Sequence, residues 1–177
     1  MRSKQYQIFD KKTIFSKGPI HLVDCKVRTP HGKILSRQIL EHPGCVVIIP
    51  RIASDVYVLV RQFRFPIGKR LWEFPAGGRE AGESFAAAAQ RELMEEIGHK
   101  PGKLQKLLQF YPTPGVSGES MHLFLASALK PATAPKDEDE DFELGKFSLS
   151  EIGRMIREGE IVDGKTMIGF FYLKNSH

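Results

Sequence analysis

Apolar and polar residues alternate in short runs from residue 5 to residue 41, the period-two signature of half-buried strands. Two strands are expected there, Pro19 to Thr29 and Lys33 to Glu41, joined by the turn signal Thr29-Pro30-His31-Gly32. From Cys45 to Pro50 the run is continuously apolar, as in a strand covered on both faces. Asp55 turns the chain, and Val56 to Gln62 reads as the next strand. Leu71 to Phe74 leads into a glycine-rich loop, residues 77–82. Four consecutive alanines, Ala86 to Ala89, then favour helix. The pattern predicts one from about Ser84 to Ile97, stopped by Gly98.

Leu104 to Gln109, Met121 to Leu129 and Phe142 to Phe147 read as further strands. Tyr111-Pro112-Thr113-Pro114-Gly115 is a rigid loop, because two prolines fix φ. Lys130 to Asp141 is a polar loop ending in five consecutive acids, Asp137 to Asp141. Ser148 or Ser150 caps a helix to about Gly159 with Ile152, Met155 and Ile156 as its apolar face, and Asp163 caps a last helix. The expected class is α/β (α+β), a mixed sheet flanked by helices. A small antiparallel β piece, residues 1–42, precedes a main domain of residues 43–177.

The polar side of the 84–97 helix carries the candidate chemistry. Glu92 and Glu96 are four apart and share a face, with Glu95 beside them. Like charges at that spacing destabilise a helix by roughly 0.2–0.5 kcal/mol per pair, so a cation between them is the natural remedy. Carboxylate oxygens suit a hard ion, Mg²⁺ or Mn²⁺. Gly77 lets the backbone come close to an ion or phosphate. Arg91 can hold the glutamates through a bidentate pair.

Composition narrows the ligand. With 41% hydrophobic and 27% charged residues, the chain is an ordinary globular one. No apolar run approaches the ~20 residues of a membrane helix, and the first residues lack the apolar core of a signal peptide. Cys25 and Cys45 are read as buried thiols, and a cytoplasmic location is expected. The net charge of +5 fits an anionic ligand. The basic residues are spread along the chain without interleaved aromatics, so a nucleotide-sized partner is expected rather than a nucleic acid.

The spacing Gly77-x5-Glu83-x7-Arg91-Glu92-Leu93-x-Glu95-Glu96-x-Gly98 matches the Nudix box, and the chain resembles the Nudix hydrolases. His99 departs from the pattern, which has an aliphatic residue there. The resemblance implies an α/β/α sandwich and Mg²⁺, with Mn²⁺ as a substitute. Its ligands would be Glu92, Glu96 and the carbonyl of Ala76, with Glu95 and Glu83 in supporting places. Phe110 to Gly115, Arg37-x-x-x-Glu41-His42-Pro43-Gly44, Arg61-Gln62-Phe63-Arg64 and Trp72 to Gly77 are similar to the branch that hydrolyses ADP-ribose and other nucleoside diphosphate sugars.

That branch implies further roles. Arg37 and Arg64 would contact the diphosphate or ribose, with Glu73 and Gly77 also at the substrate. Glu138 from the acidic loop, or Glu140 in another register, would be the general base, with Glu95 in competition. Trp72 and Phe15 are candidates for stacking on a base, and His42 and His122 are read as structural. A homodimer joined through the N-terminal strands is implied. The reaction would give a nucleoside monophosphate and a sugar phosphate. The alternatives are preference for GDP-mannose or a dinucleotide, or a non-catalytic nucleotide-sugar sensor.

Overall fold

A computed structural model describes residues 5–18, 20–132 and 143–176. The described residues fall into two compact units, divided after Gly44, with Tyr111–Ser120 belonging to the first.

The first unit is an antiparallel sheet of β1 (Gln7–Lys17), β2 (Ile20–Arg28) and β3 (Ile34–Glu41), in that spatial order. The sequence pattern anticipated β2 and β3 but not β1 as a separate strand. Its pairing with β2 shifts register between Phe9 and Lys12 and again between Thr13 and Phe15, and Asp10 sits at φ 53°. Each bulge takes a residue out of alternation, so the period that reveals a strand is lost. The Tyr111–Ser120 segment joins β3: the Leu40 N–H donates to Val116 O at 2.9 Å and the Gly118 N–H to Leu40 O at 3.0 Å.

The second unit is built on a mixed sheet. Its strands are β4 (Cys45–Ala53), β5 (Val56–Arg64), β6 (Lys69–Glu73), β7 (Ala76–Gly78), β9 (Lys103–Phe110), β10 (Met121–Ser127) and β12 (Glu143–Phe147). Two short strands, β8 (His99–Lys100) and β11 (Lys130–Pro131), pair apart from it. The order is β12-β5-β4-β10-β9, with β6 on β5 and β7 on β4, and the β4–β10 pair is parallel.

The continuous apolar run in β4 is explained by cover on both faces. Val47, Ile49, Leu59 and Leu123 pack with Ile152, Met155, Phe170 and Leu173 from α2 (Leu149–Arg157) and α3 (Gly164–Asn175). Val46, Ile48, Phe124 and Ala126 point the other way, onto Ala88, Ala89, Leu93 and Ile97 of α1 (Phe85–Ile97). The result is the expected α/β/α sandwich. Ser84 caps α1 by accepting from the Ala87 N–H, and Gly98 ends it at φ 68°. Ser148, not Ser150, caps α2, in a reciprocal capping box with Glu151.

Two expectations are corrected. Residues 77–82 are not one glycine loop, because Ala76–Gly78 is strand β7, paired with Cys45–Val47. A three-residue strand of Ala and Gly carries no side-chain alternation to reveal it. The strand from Met121 stops at Ser127 rather than Leu129, because Ala128 turns to φ 51°. Cys25 and Cys45 are free thiols. Among the described residues no helix is long and apolar enough to cross a membrane.

Candidate active site

The apolar face of α1 fixes which way its carboxylates point. Ala88, Ala89, Leu93 and Ile97 are buried against the sheet, which turns Glu92 and Glu96 toward β7. Glu96 is 2% exposed and Glu92 9%. The Ala76 N–H donates to Glu96 Oε1 at 3.3 Å. A Cβ on Gly77 would lie 2.0 Å from the carboxyl carbon of Glu92. Gly77 is therefore glycine because a carboxylate lies against its backbone; the close approach foreseen from the sequence is to that side chain.

Arg91 stands at the centre of the cluster. Its Nε and Nη2 donate to the two oxygens of Glu83 at 3.2 and 3.1 Å. Nη1 donates to Glu92 Oε1 at 2.7 Å and to Glu95 Oε2 at 2.9 Å, and Nη2 also reaches the Gly78 carbonyl at 2.8 Å. Burial alone would lower the pKa of this guanidinium, but Glu83, Glu92 and Glu95 raise it instead. Burial likewise pushes Glu83 up, and the Arg91 fork and the Glu80 N–H more than reverse it, so Glu83 is held below its ordinary range.

The charge count favours a cation. Glu80, Glu83, Glu92 and Glu95 lie within ion-pair reach of one guanidinium and Glu96 lies against the Ala76 N–H, so the donor set is carboxylate and carbonyl oxygen with a marked negative excess. Such a set fits a hard divalent ion. Glu92, Glu96 and the Ala76 backbone form the part that would hold it.

A second charged group lies at the end of β6. Glu73 is 1% exposed. Its Oε1 accepts from Arg64 Nε at 2.8 Å and its Oε2 from Arg64 Nη2 at 2.5 Å. Lys165 Nζ also bonds Oε2 and reaches Asp163 Oδ1 at 2.9 Å. Burial would raise the Glu73 pKa, but Arg64 and Lys165 outweigh it and hold it low. The structure thus puts Glu73 beneath Arg64, with both oxygens engaged. Sequence reasoning missed Lys165 altogether: a lysine in the first turn of a helix carries no local mark of burial.

The other candidates are distributed as follows. Arg37 lies on β3 of the first unit, where its Nη1 donates to Ser36 O at 2.7 Å and it lines a cavity with Pro114 to Gly118. Phe15 is exposed on β1. Trp72 packs edge-on against Phe147 at 5.1 Å. His42 Nδ1 accepts from the Gly44 N–H at 3.0 Å. His122 is buried and stacked on Phe85 at 3.5 Å, and burial, then Lys106 and Arg79, lowers its pKa. His99 donates from Nδ1 to Ile97 O at 2.7 Å, closing the end of α1. Glu138 and Glu140 lie outside the described residues.

The NUDIX domain family model matches residues 41–168. An ADP-ribose pyrophosphatase of Bacillus subtilis (strain 168) is 35% identical over 176 residues, covering 98% of this chain and 95% of that protein. A methanol dehydrogenase activator of Bacillus methanolicus is 37% identical over 175 residues, covering 95% of each. The crystal structure of an ADP compounds hydrolase matches with a TM-score of 0.83 at 20% identity, over 97% of this chain and 93% of that one. At that identity the likeness speaks for the fold.

Proposed function

This chain belongs to the NUDIX domain family, and from that premise we propose that it is a Mg²⁺-dependent pyrophosphatase of nucleoside diphosphate sugars, with ADP-ribose preferred. Water attacks one phosphorus, the P–O–P bond breaks, and a nucleoside monophosphate and a sugar phosphate leave. The observation that carries this reading is the meeting of Glu83, Glu92 and Glu95 on Arg91, with the buried Glu96 on the same helix against the Ala76 N–H. A non-catalytic sensor on this fold would have no need of that charge.

Each residue has a part. Glu92, Glu96 and the Ala76 carbonyl would hold the divalent ion, which when bound would supply Lewis-acid polarisation of the diphosphate and a lowered pKa for water. Arg91 keeps Glu92 and Glu95 in fixed rotamers by donating to both. Glu95 accepts from Arg91 through Oε2, which leaves Oε1 to take the proton of the attacking water. Glu138 and Glu140 are its competitors for that role. Arg64 presents the edge of its fork not used by Glu73 to a phosphate oxygen, and Arg37 makes a further phosphate or ribose contact.

A panel of ADP-ribose, ADP-glucose, GDP-mannose and a dinucleotide, read by phosphate release after phosphatase treatment, tests the reading. The expected result is highest kcat/KM for ADP-ribose and none in excess EDTA. Preference for GDP-mannose would move the substrate within the class, and no turnover of any compound with Mg²⁺ or Mn²⁺ present would refute the enzyme. We further propose a homodimer formed through residues 1–42, since a small sheet alone is marginal. Light scattering of the full chain at micromolar concentration should give twice 20.0 kDa; a clean monomer would rule this out.

A further inference from the structure

Glu73 receives two cations from distant parts of the chain. Arg64 comes from the end of β5, and Lys165 from the first turn of α3, 92 residues beyond Glu73. The same turn of α3 grips the next residue too. Thr166 Oγ1 accepts from the Phe74 N–H at 2.8 Å and donates to Asp163 Oδ2 at 2.6 Å, and the Thr166 N–H donates to the same oxygen at 2.9 Å. Glu73 and Phe74 are thus both tied to one helix end, and Ala76 follows two residues later.

The charges here balance, Arg64 and Lys165 against Glu73 and Asp163. The exposures do not. The Lys165 side chain is 9% exposed and that of Glu73 1%, whereas that of Arg64 is 36% exposed. Two nitrogens of the Arg64 fork are committed to Glu73, which leaves Nη1 uncommitted to that carboxylate. Glu96 also lies near enough to favour the charged guanidinium. The group has a buried end that cannot reach a ligand and an open end that can.

We propose that Lys165 is a positioning residue for diphosphate cleavage, holding Glu73 so that Glu73 in turn aims the open edge of Arg64 at a substrate phosphate. This rests on Arg64 as a substrate arginine. Lys165 Nζ bonds Glu73 and Asp163, and no other polar partner of it is found among the described residues. Its effect reaches the reaction through Glu73 and Arg64, on the side of substrate binding.

A double-mutant cycle of Lys165→Met and Arg64→Ala on the full chain, with ADP-ribose and Mg²⁺, tests this. In Lys165→Met, KM should rise about tenfold, the scale of one charge-assisted hydrogen bond, with kcat within about twofold and the Mg²⁺ concentration for half-activation unchanged. Arg64→Ala should raise KM at least as much, and the double variant no further. Lys165→Arg should recover part of the loss. If Lys165→Met gives no cooperative melt, Asp163→Asn/Lys165→Met replaces it, since Asn keeps the helix cap and takes away the charge that would lack its lysine, while Glu73 keeps Arg64.

An unchanged KM in a folded Lys165 variant overturns the inference. Additive losses in the double variant overturn it as well, because Lys165 would then act elsewhere. If Arg64→Ala leaves KM unchanged, Arg64 is no substrate arginine, and the inference falls together with that assignment. In the first two cases Arg64→Ala alone still raises KM, so the two failures are told apart.

Discussion

Two charged clusters lie within the second unit, and they are built on opposite principles. Around Arg91, the carboxylates of Glu80, Glu83, Glu92 and Glu95 meet one guanidinium, and the buried Glu96 adds a further negative charge on the same helix. Around Glu73, two cations meet two carboxylates, and each charge is answered by protein. Burying charge is expensive unless it is paired. The balanced cluster can therefore stabilise the fold by itself, whereas the unbalanced one calls for something from outside. The contrast separates a metal site from a group that holds one arginine in place: excess of one sign marks where a ligand cation goes, and neutrality marks where the protein answers its own charges.

The largest effect expected from this contrast is on turnover. Glu96→Gln keeps the side-chain shape and removes one negative charge from the unbalanced cluster. kcat should fall about 10²-fold or more, since a bound metal supplies several kcal/mol of transition-state stabilisation. Thermal stability without metal should hold or rise, because a like-charge repulsion is relieved. A folded variant with near-normal turnover at saturating Mg²⁺ would break the distinction between the two clusters.

Glu73→Gln should do the reverse, costing stability first. Removing one partner of a buried pair costs about 3–5 kcal/mol. The lower end, about 3 kcal/mol, is expected because Arg64 is partly exposed and Lys165 keeps Asp163. Urea denaturation at pH 7 measures it, and a change under about 0.5 kcal/mol, ordinary for a surface site, would show that the pair is idle. The pH dependence gives the sign. Glu73 has a folded pKa below its unfolded value of about 4.3. Its contribution is complete above that value and is lost as pH falls through the folded pKa. Melting curves between pH 7 and pH 3 should therefore fall more steeply for wild type than for Glu73→Gln at the acid end.

A smaller effect is expected at Gly77. Alanine there would force its Cβ against the Glu92 carboxylate, and Glu92 must move. Mg²⁺ affinity should drop about 10–100-fold, as when the supports of a metal ligand are lost, with the fold retained. Calorimetric titration with Mg²⁺ measures this, and unchanged affinity would mean that Glu92 tolerates displacement.

The difference between the clusters also explains what the sequence disclosed. Glu92, Glu95, Glu96 and Arg91 share one helix, so their meeting follows from the 3.6-residue period and was legible before any fold was known. Glu83 was singled out only by the box spacing that the resemblance supplied. The sandwich was legible too, because the apolar run at Cys45 requires cover on both faces. Lys165 and Glu73 are 92 residues apart, and no local pattern links them. Asp163 was legible only as a helix cap, which it is, while its bond to Lys165 was not. Strands β1 and β7 were missed for local reasons, bulges in one and a lack of side chains in the other. Arg64 and Arg37 were singled out by resemblance alone, since an arginine at a strand end has no distinguishing period.

The most direct test of the account is Mn²⁺ binding without substrate, followed by the loss of the free-ion electron paramagnetic resonance signal on titration into wild type, Glu96→Gln and Glu73→Gln. If the unbalanced cluster is the metal site and the balanced one serves only to place Arg64, wild type and folded Glu73→Gln should take up Mn²⁺ saturably with similar affinity. Glu96→Gln should bind at least tenfold more weakly. Equal binding by wild type and Glu96→Gln, or loss of binding in folded Glu73→Gln alone, would contradict the account.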